Sequence, residues 1–151
     1  QSVSAQLCSG ADRAACVCLL CGGIQRRRGG RIGRIQAAMG SVLNLKPIAF
    51  VDKATGAYDT AGRSRSWRKA VQTMAQLTDR CVRAGEAVRV GLVRGEDPAE
   101  AQTLLEWIEG VRPVAWSGVA TVGAALAIHT GPKAVAYAVA PAAWPWEADG
   151  A

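Results

Sequence analysis

The sequence contains a single histidine, His129, and few acidic residues where a catalytic site would need them. Neither residues 29–48 nor residues 129–132 include an aspartate or a glutamate, so both stretches lack the paired carboxylates of general acid–base catalysis. A G-x-S-x-G elbow, a Walker loop and an H-E-x-x-H helix are also absent. No pattern nominates a serine as the nucleophile partner of the one histidine. These absences favour a binding protein over an enzyme.

Aromatic residues and negative charge are also scarce. Aromatic residues make up 5% of the chain, and 18 basic residues stand against 12 acidic ones, which gives a net charge of +6. This charge indicates an anionic partner. Single-stranded nucleic-acid sites usually have aromatic residues among their cations. The basic run at residues 25–28 has none. A basic nucleic-acid-binding module is therefore the alternative function, not the predicted one.

Long hydrophobic runs are missing from the sequence. The longest uncharged stretch, residues 114–132, is interrupted by glycine, serine and threonine, so we predict no membrane span. The chain does not open with a basic, then apolar, then small-residue pattern, so we predict no signal peptide. With 151 residues, half of them hydrophobic, the chain is expected to be a cytoplasmic globular domain.

The five cysteines do not form a recognisable framework. Four of them crowd the first part of the chain: Cys8, Cys16, Cys18 and Cys21. Cys18 and Cys21 have the C-x2-C spacing of a metal knuckle, but no second knuckle or nearby histidine follows. Free thiols in a partly apolar segment are the other interpretation, and we predict no metal. Cys81 lies on the apolar face of a predicted helix and is expected to be buried.

A glycine pair, Gly29 and Gly30, precedes the first predicted helix, Arg31–Leu43. Its apolar residues recur at steps of three and four and so share one face. These residues are Ile32, Ile35, Met39 and Val42. Gly40 lies inside the helix, which costs about 1 kcal/mol relative to alanine and indicates close approach of a backbone or a ligand.

The middle of the chain predicts a hairpin followed by a helix. Residues 47–51 and 57–61 form the two strands, with the turn at residues 52–56. Ser66 is the expected N-cap of the helix. Its apolar face consists of Trp67, Ala70, Val71, Met74, Leu77 and Cys81.

The second half of the chain predicts a strand, a helix and a strand in succession. Residues 88–92 alternate as a half-buried strand. Asp97, Pro98 and Glu100 form a cap, a first-turn proline and a capping-box acid, and Gly110 ends the helix. Its buried face is Ala101, Leu104, Leu105 and Ile108. Strands at residues 114–116 and 134–139 follow, so we predict an α/β fold with a right-handed parallel crossover.

Two clusters point to anionic ligands. Arg63, Arg65, Arg68 and Lys69 gather where a helix begins, although the helix dipole favours acids there, and so indicate an acidic or phosphorylated partner. His129 precedes a Thr-Gly-Pro turn whose free N–H groups, hydroxyl and imidazole suit a carboxylate. A histidine satisfied by a backbone carbonyl in the core is the other interpretation.

Four motifs in order resemble the DegV family of lipid-binding proteins. They are Gly29–Ile32, Gly40-Ser41 with Leu43–Ile48, Arg65 with Lys69, and His129–Pro132. The resemblance covers the family's C-terminal domain and implies a mixed sheet with helices packed on it. It divides the chain into a divergent cysteine-rich segment at 1–28, the DegV-like domain at 29–143 and a tail at 144–151.

The resemblance implies a bacterial, non-catalytic carrier of one long-chain fatty acid, with no cofactor. It also implies that a separate N-terminal domain completes the pocket, and that a fatty acid kinase catalytic subunit is the partner. By position, the carboxylate would lie near His129, Thr130, Gly131 and Pro132. The helix covering the acyl chain would supply Gly30, Arg31, Ile32, Ile35, Met39 and Leu43. Arg65 and Lys69 would face the partner, and Lys133 stands where the family usually has glycine.

Overall fold

The computed structural model describes residues 15–19, 45–52, 55–124, 127 and 130–143. These residues form six strands and two long helices around one sheet. The strands are β1 (Ala15–Leu19), β2 (Lys46–Val51), β3 (Tyr58–Ser64), β4 (Val88–Arg94), β5 (Val114–Thr121) and β6 (Val135–Pro141), and the helices are α1 (Trp67–Cys81) and α2 (Pro98–Glu109). The predicted α/β class is confirmed.

The sheet is mixed, in the order β3-β2-β1-β6-β4-β5. β4 and β5 pair in parallel, as predicted for the two strands that flank α2, and every other neighbouring pair is antiparallel. β1, β3, β4 and β5 therefore run in one direction, and β2 and β6 run in the other. β1, β3, β4 and β5 end on the same side of the sheet, and β2 and β6 begin there. We call this side the carboxyl end of the sheet.

β1 comes from the cysteine-rich opening, where the sequence predicts neither a strand nor a helix. It lies in the middle of the sheet, where Cys18 pairs with Ala49 of β2 on one side and with Ala136 of β6 on the other. Its backbone groups are satisfied by strands that lie far away in sequence. Residues 15–19 thus belong to the same sheet as the DegV-like region.

The predicted hairpin is present as β2 and β3. Asp52 N–H donates to the carbonyl of Ala57 at 2.9 Å, and Gly56 N–H donates to the carbonyl of Asp52 at 2.7 Å. Gly56 has φ +66°, a conformation that glycine adopts without a steric cost. These contacts close the turn and set β2 and β3 antiparallel.

α1 buries the face that the sequence predicts. Ala70, Val71, Met74, Leu77 and Cys81 are buried, and Trp67 is partly buried. Ser66 occupies the N-cap position, but its side chain makes no capping bond. Instead, Ser64 Oγ donates to the carbonyl of Ser66 at 2.9 Å and accepts from its N–H at 3.2 Å.

α2 matches its prediction closely. Asp97 is the N-cap and accepts from Ala99 N–H at 2.9 Å, with Pro98 as the first helical residue. The predicted apolar face is the observed one: Ala101, Leu104, Leu105 and Ile108 are buried. Neither helix in the described part of the chain has the length and apolarity needed to cross a bilayer.

The core lies between the two helices and one face of the sheet, which we call the first face. Alternate residues of the strands point into it, among them Phe50, Leu92 and Tyr137, all fully or almost fully buried. The Tyr137 hydroxyl donates to the carbonyl of Met74 at 2.7 Å and accepts from Thr78 Oγ1 at 2.9 Å. A buried phenol is thereby satisfied by α1.

The other face of the sheet, the second face, is built from small residues across β4, β5 and β6. Gly91 of β4 pairs with Gly118 of β5 and with Ala138 of β6. The neighbouring rows add Val93 with Ala120 and Ala136, and Arg89 with Trp116 and Ala140. The centre of the second face therefore carries only small side chains, and the large side chain of Trp116 lies towards one end of it.

Candidate functional site

The predicted site residues fall into two groups. Thr130, Gly131, Pro132, Arg65 and Lys69 belong to the described part of the chain. The other predicted ligand contacts lie outside the described residues, and their roles stay predictions: Gly30, Arg31, Ile32, Ile35, Met39, Leu43 and His129.

The Thr130–Pro132 turn lies at the carboxyl end of the sheet, directly before β6. Gly131 has φ +87°, and its N–H donates to the carbonyl of Ala127 at 2.8 Å. Its own carbonyl accepts from Ala134 N–H at 3.2 Å. Thr130 is 8% exposed, whereas Pro132 is exposed. The Gly131 N–H is therefore not free for a ligand, contrary to the prediction, because it makes a helical hydrogen bond to the residue four positions earlier. The left-handed glycine separates a buried hydroxyl from an exposed proline.

The loop between β4 and α2 holds this turn in place through Gly95, which is not among the predicted site residues. Gly95 N–H donates to the carbonyl of Ala134, and Glu96 N–H donates to the carbonyl of Pro132, both at 2.8 Å. A Cβ at Gly95 would overlap the Pro132 carbonyl oxygen. Only glycine allows the two backbones to approach this closely. A glycine between a strand and a helix cap is the pattern that points to such an approach.

A cleft of about 500 Å³ opens beside the turn. Val122 N–H donates to the carbonyl of Arg94 at 2.8 Å, which joins the ends of β5 and β4 at the base of this cleft. Its lining residues are Arg94, Gly95, Glu96, Thr121, Val122, Ala124, Ala127 and Pro132. Crevices at the carboxyl ends of parallel strands are the usual ligand sites of open α/β sheets.

Charges of both signs surround the cleft. Arg94 Nη1 donates to the carbonyls of Gly95 and Glu96 at 3.2 and 3.3 Å, which places a guanidinium at its rim. Burial raises the pKa of Glu100, with a further contribution from Asp97, and Lys133 acts in the opposite direction. Lys133 therefore stabilises the anionic form of a carboxylate at the start of α2.

A second cavity, of about 680 Å³, lies on the second face of the sheet and away from the turn. Trp116 is one of its lining residues and is 56% exposed. A Cβ at Gly118 would meet the Trp116 ring atom Cη2 at 2.6 Å, so the six-membered ring of the indole occupies the space above the glycine of its own strand. We call this cavity, lined by Arg89, Gly91, Ala115, Trp116, Ala138, Val139 and Ala140, the Trp116 groove.

The predicted basic cluster is exposed where α1 begins. Arg63, Arg65, Arg68 and Lys69 all lie at the surface, and the first turn of α1 contains no acidic residue. Because α1 follows β3, this cluster shares the carboxyl end of the sheet with the Thr130–Pro132 turn. β3 and β4 are four strands apart, or about 19 Å at the usual spacing, so the cluster and the cleft are separate sites.

Only three of the five cysteines, Cys16, Cys18 and Cys81, belong to the described part of the chain. Cys81 is buried, as expected. Within the described ranges, no group of three or more His, Cys, Asp and Glu residues is placed to hold a metal ion. Cys8 and Cys21 lie outside those ranges.

Comparison with known families decides the identity of the fold. The family model described as "Uncharacterised protein, DegV family" matches residues 26–142, which is well over half of the chain. The chain belongs to the DegV family. A DegV domain-containing protein from Deinococcus radiodurans is 46% identical over 121 residues, which cover 80% of this chain and 42% of that protein.

Solved DegV structures share the fold. A DegV family protein from Thermus thermophilus, for which fatty acid binding is described, superposes with a TM-score of 0.74 and 27% identity over 85% of this chain. A stearic acid-binding protein from Eubacterium ventriosum superposes with a TM-score of 0.70 and 21% identity over 91% of this chain. The chain covers 45% and 46% of these proteins, so it corresponds to less than half of a DegV protein.

Proposed function

We propose that this chain binds a long-chain fatty acid and holds its carboxylate at the Thr130–Pro132 turn. The turn carries the proposal: a left-handed Gly131 and a buried Thr130 lie beside a cleft at the carboxyl end of the sheet. His129 directly precedes this turn in sequence and would complete the carboxylate site. Fatty acid binding by the related Thermus thermophilus protein supports the same ligand class.

The acyl chain would be covered by the predicted helix at residues 31–43. The residues that flank this region, Leu19 and Leu45, both lie at the carboxyl end of the sheet, close to the turn. Covering contacts would come from Gly30, Arg31, Ile32, Ile35, Met39 and Leu43. The chain spans less than half the length of the relatives it matches, so we propose that a further domain closes the pocket. We also propose that the lipid-binding region ends at residue 143 and, because β1 belongs to its sheet, includes Ala15–Leu19 as well as the predicted residues 29–143.

Lipid extraction tests the ligand class directly. We expect mass spectrometry of the purified protein to detect a long-chain acyl group, and added oleate or palmitate to be taken up. His129→Ala should weaken binding by about 1–3 kcal/mol, which is the cost of leaving a buried anion with one hydrogen bond fewer. Gln76→Ala, an exposed change on α1, is the control.

Two results would contradict this proposal at different levels. A protein that carries no acyl group and takes up none is not a fatty acid carrier. If fatty acid binds but His129→Ala leaves the affinity unchanged, the imidazole is a core group and the carboxylate lies elsewhere.

We propose that the basic cluster at the start of α1 contacts an acidic face of a fatty acid kinase subunit, which acts on the carried lipid in the bacterial cytoplasm. Arg65 and Lys69 are exposed and share the carboxyl end of the sheet with the turn, so a partner bound there would face the same end of the sheet as the proposed carboxylate site. Complementary charges chiefly raise the association rate and lose their effect as salt is added.

Charge reversal tests this partner surface. We expect Arg65→Glu combined with Lys69→Glu to lower affinity for the kinase subunit at least tenfold and to leave fatty acid affinity unchanged. Arg83→Glu, an exposed cation beyond the other end of α1, is the matched control. Kinase binding that survives the double reversal, or that does not weaken with ionic strength, would place the contact on another surface.

A further inference from the structure

The Trp116 groove is an apolar surface that the described part of the chain leaves uncovered. The Trp116 side chain is 56% exposed, the highest value among the large hydrophobic residues described. Beside the ring, no heavy atom comes within 4 Å of a Cβ built at Gly91, and Ala138 is exposed. An aromatic ring next to a floor of glycine and alanine gains free energy when another apolar group covers both.

The groove lies at the end of the sheet opposite the carboxyl end, where β6 stops. Arg89, Trp116 and Ala140 share one row of the paired strands, and Ala140 lies one residue before the end of β6. Ala142 N–H donates to the carbonyl of Ala87 at 2.8 Å, which holds the chain at this end of the sheet. The chain therefore leaves the described ranges next to the groove.

The residues that follow are close enough to cover this surface. Residues 144–147 are Trp-Pro-Trp-Glu, and we call them the WPWE segment. Its two tryptophans come two and four residues after Ala142, so extended backbone carries them at most about 7 and 14 Å from that residue. Ala140 and Ala138 lie two and four residues before Ala142 along the same strand, at about 7 and 13 Å. A segment that turns back after Ala142 thus has the reach to lie over the groove.

The chemistry of the WPWE segment matches that of the groove. Trp144 and Trp146 are large apolar groups, and Pro145 restricts the backbone of both itself and Trp144 to extended conformations, which lowers the entropy lost on docking. Glu147 follows directly, and Arg89 is one of the residues that line the groove. The segment and the groove are therefore complementary in both apolar surface and charge.

We infer that the WPWE segment folds back over the second face and fills the Trp116 groove. In this arrangement, Trp144 and Trp146 pack on the floor and against the exposed ring of Trp116, because aromatic side chains favour offset or edge-to-face contact. Glu147 lies on the Arg89 side of the groove. The inference is independent of fatty acid binding, and it assigns to the end of this chain the role of covering an apolar face of the sheet.

Oxidative footprinting of the protein at its full natural length tests this contact. Hydroxyl radicals oxidise exposed tryptophan side chains fastest, and mass spectrometry measures each site separately. We expect Trp116 to be oxidised severalfold faster when Trp144→Ala and Trp146→Ala are combined than in the wild-type protein. Trp67 and Trp107 pack against the core on the first face, so their rates should not change, and they serve as internal references for correct folding.

A double-mutant cycle measures the contact itself. Urea unfolding compares Trp116→Ala, the combined Trp144→Ala and Trp146→Ala variant, and all three changes together. The effects should be non-additive, by about two- to tenfold in the equilibrium constant for unfolding, which is the range for an aromatic pair. Trp107→Ala replaces Trp116→Ala in the matched control cycle, which should be additive because Trp107 packs on the first face.

The outcomes distinguish the possible occupants of the groove. Faster Trp116 oxidation in the variant, together with non-additive unfolding, supports the WPWE segment. Equal Trp116 oxidation in the wild type and the variant, or additive unfolding, overturns the inference. If Trp116 is protected in both proteins and the protection falls on dilution, a second copy covers the groove. If the protection persists at every dilution, a further domain covers it.

Fatty acid binding is measured separately on the same proteins. Because the groove and the Thr130–Pro132 turn lie at opposite ends of the sheet, loss of palmitate binding in the wild type would overturn the proposed function and leave this inference standing.

Discussion

Replacing Arg112 by alanine is expected to lower the free energy of unfolding by about 2–4 kcal/mol, because the loss of this guanidinium leaves one buried and two partly buried carbonyls without its hydrogen bonds. Arg112 is 5% exposed. Its guanidinium donates to the carbonyls of Arg83, Asp79 and Val82 at 2.6, 2.7 and 3.0 Å. These carbonyls lie at the end of α1, where helical hydrogen bonding runs out and the dipole favours a cation.

The ion pair with Asp79 is the smaller part of this effect. Arg112 Nε lies 2.8 Å from Asp79 Oδ1, but the aspartate side chain is 56% exposed. Exposed ion pairs contribute about 0–1 kcal/mol, so Asp79→Ala should cost much less than Arg112→Ala. The carbonyl contacts, which the aspartate variant keeps, therefore account for most of the expected loss.

Urea unfolding of the two variants distinguishes these contributions. Arg83→Ala serves as the control, since it removes an exposed side chain and keeps the carbonyl that Arg112 contacts. Its free energy of unfolding should stay within about 0.5 kcal/mol of the wild-type value. Equal losses for Asp79→Ala and Arg112→Ala would show that the charge pair dominates and that the helix-end contacts matter little.

Arg112 also illustrates what sequence reasoning could not reach. α2 was predicted to the residue because its cap, proline, apolar period and terminal glycine are all local and agree with one another. Arg112 follows that helix and looks like any surface cation, yet its partners are about thirty residues earlier, at the end of α1. Burial of such a residue is a property of tertiary structure, and no local pattern predicts it.

β1 was missed for a related reason. Its five residues carry no turn residues or clear alternation, and its pairing partners in β2 and β6 are remote in sequence. Strand propensity depends on such neighbours more than on the segment itself. The hairpin β2–β3, by contrast, was predicted correctly because its turn residues lie between the two strands.

The candidate site also combines a part that local sequence predicts with a part that depends on contacts between remote segments. The Thr130–Pro132 turn could be identified from sequence because glycine and proline mark turns by their own backbone geometry. Its supporting loop could not, because the contacts of Gly95 with Pro132 and Ala134 link segments almost forty residues apart. The cleft exists only when both segments are in place.

Gly95→Ala is expected to damage this site more than any side-chain deletion within it. The added methyl group would overlap the Pro132 carbonyl oxygen, which is backbone and cannot rotate away. Relief requires the loop and the turn to separate, which weakens the bonds from Gly95 N–H and Glu96 N–H. Overpacking costs about 1–3 kcal/mol, and each of the two weakened hydrogen bonds costs about 1 kcal/mol, so we expect a loss of about 3–5 kcal/mol in stability.

Fatty acid affinity should fall at least tenfold in the same variant, since the carboxylate site moves with the turn. Gly91→Ala is the matched control for stability: Gly91 lies four residues earlier, in β4, a Cβ there meets nothing within 4 Å, and alanine should be neutral or slightly stabilising. Chemical denaturation and palmitate binding measure the two effects separately. If Gly95→Ala unfolds at the wild-type midpoint, the close approach of the loop and the turn is wrong. A displaced turn cannot hold a carboxylate whose hydrogen bonds depend on the position of the turn. If stability falls but palmitate affinity does not, the turn is therefore structural and the carboxylate is held elsewhere.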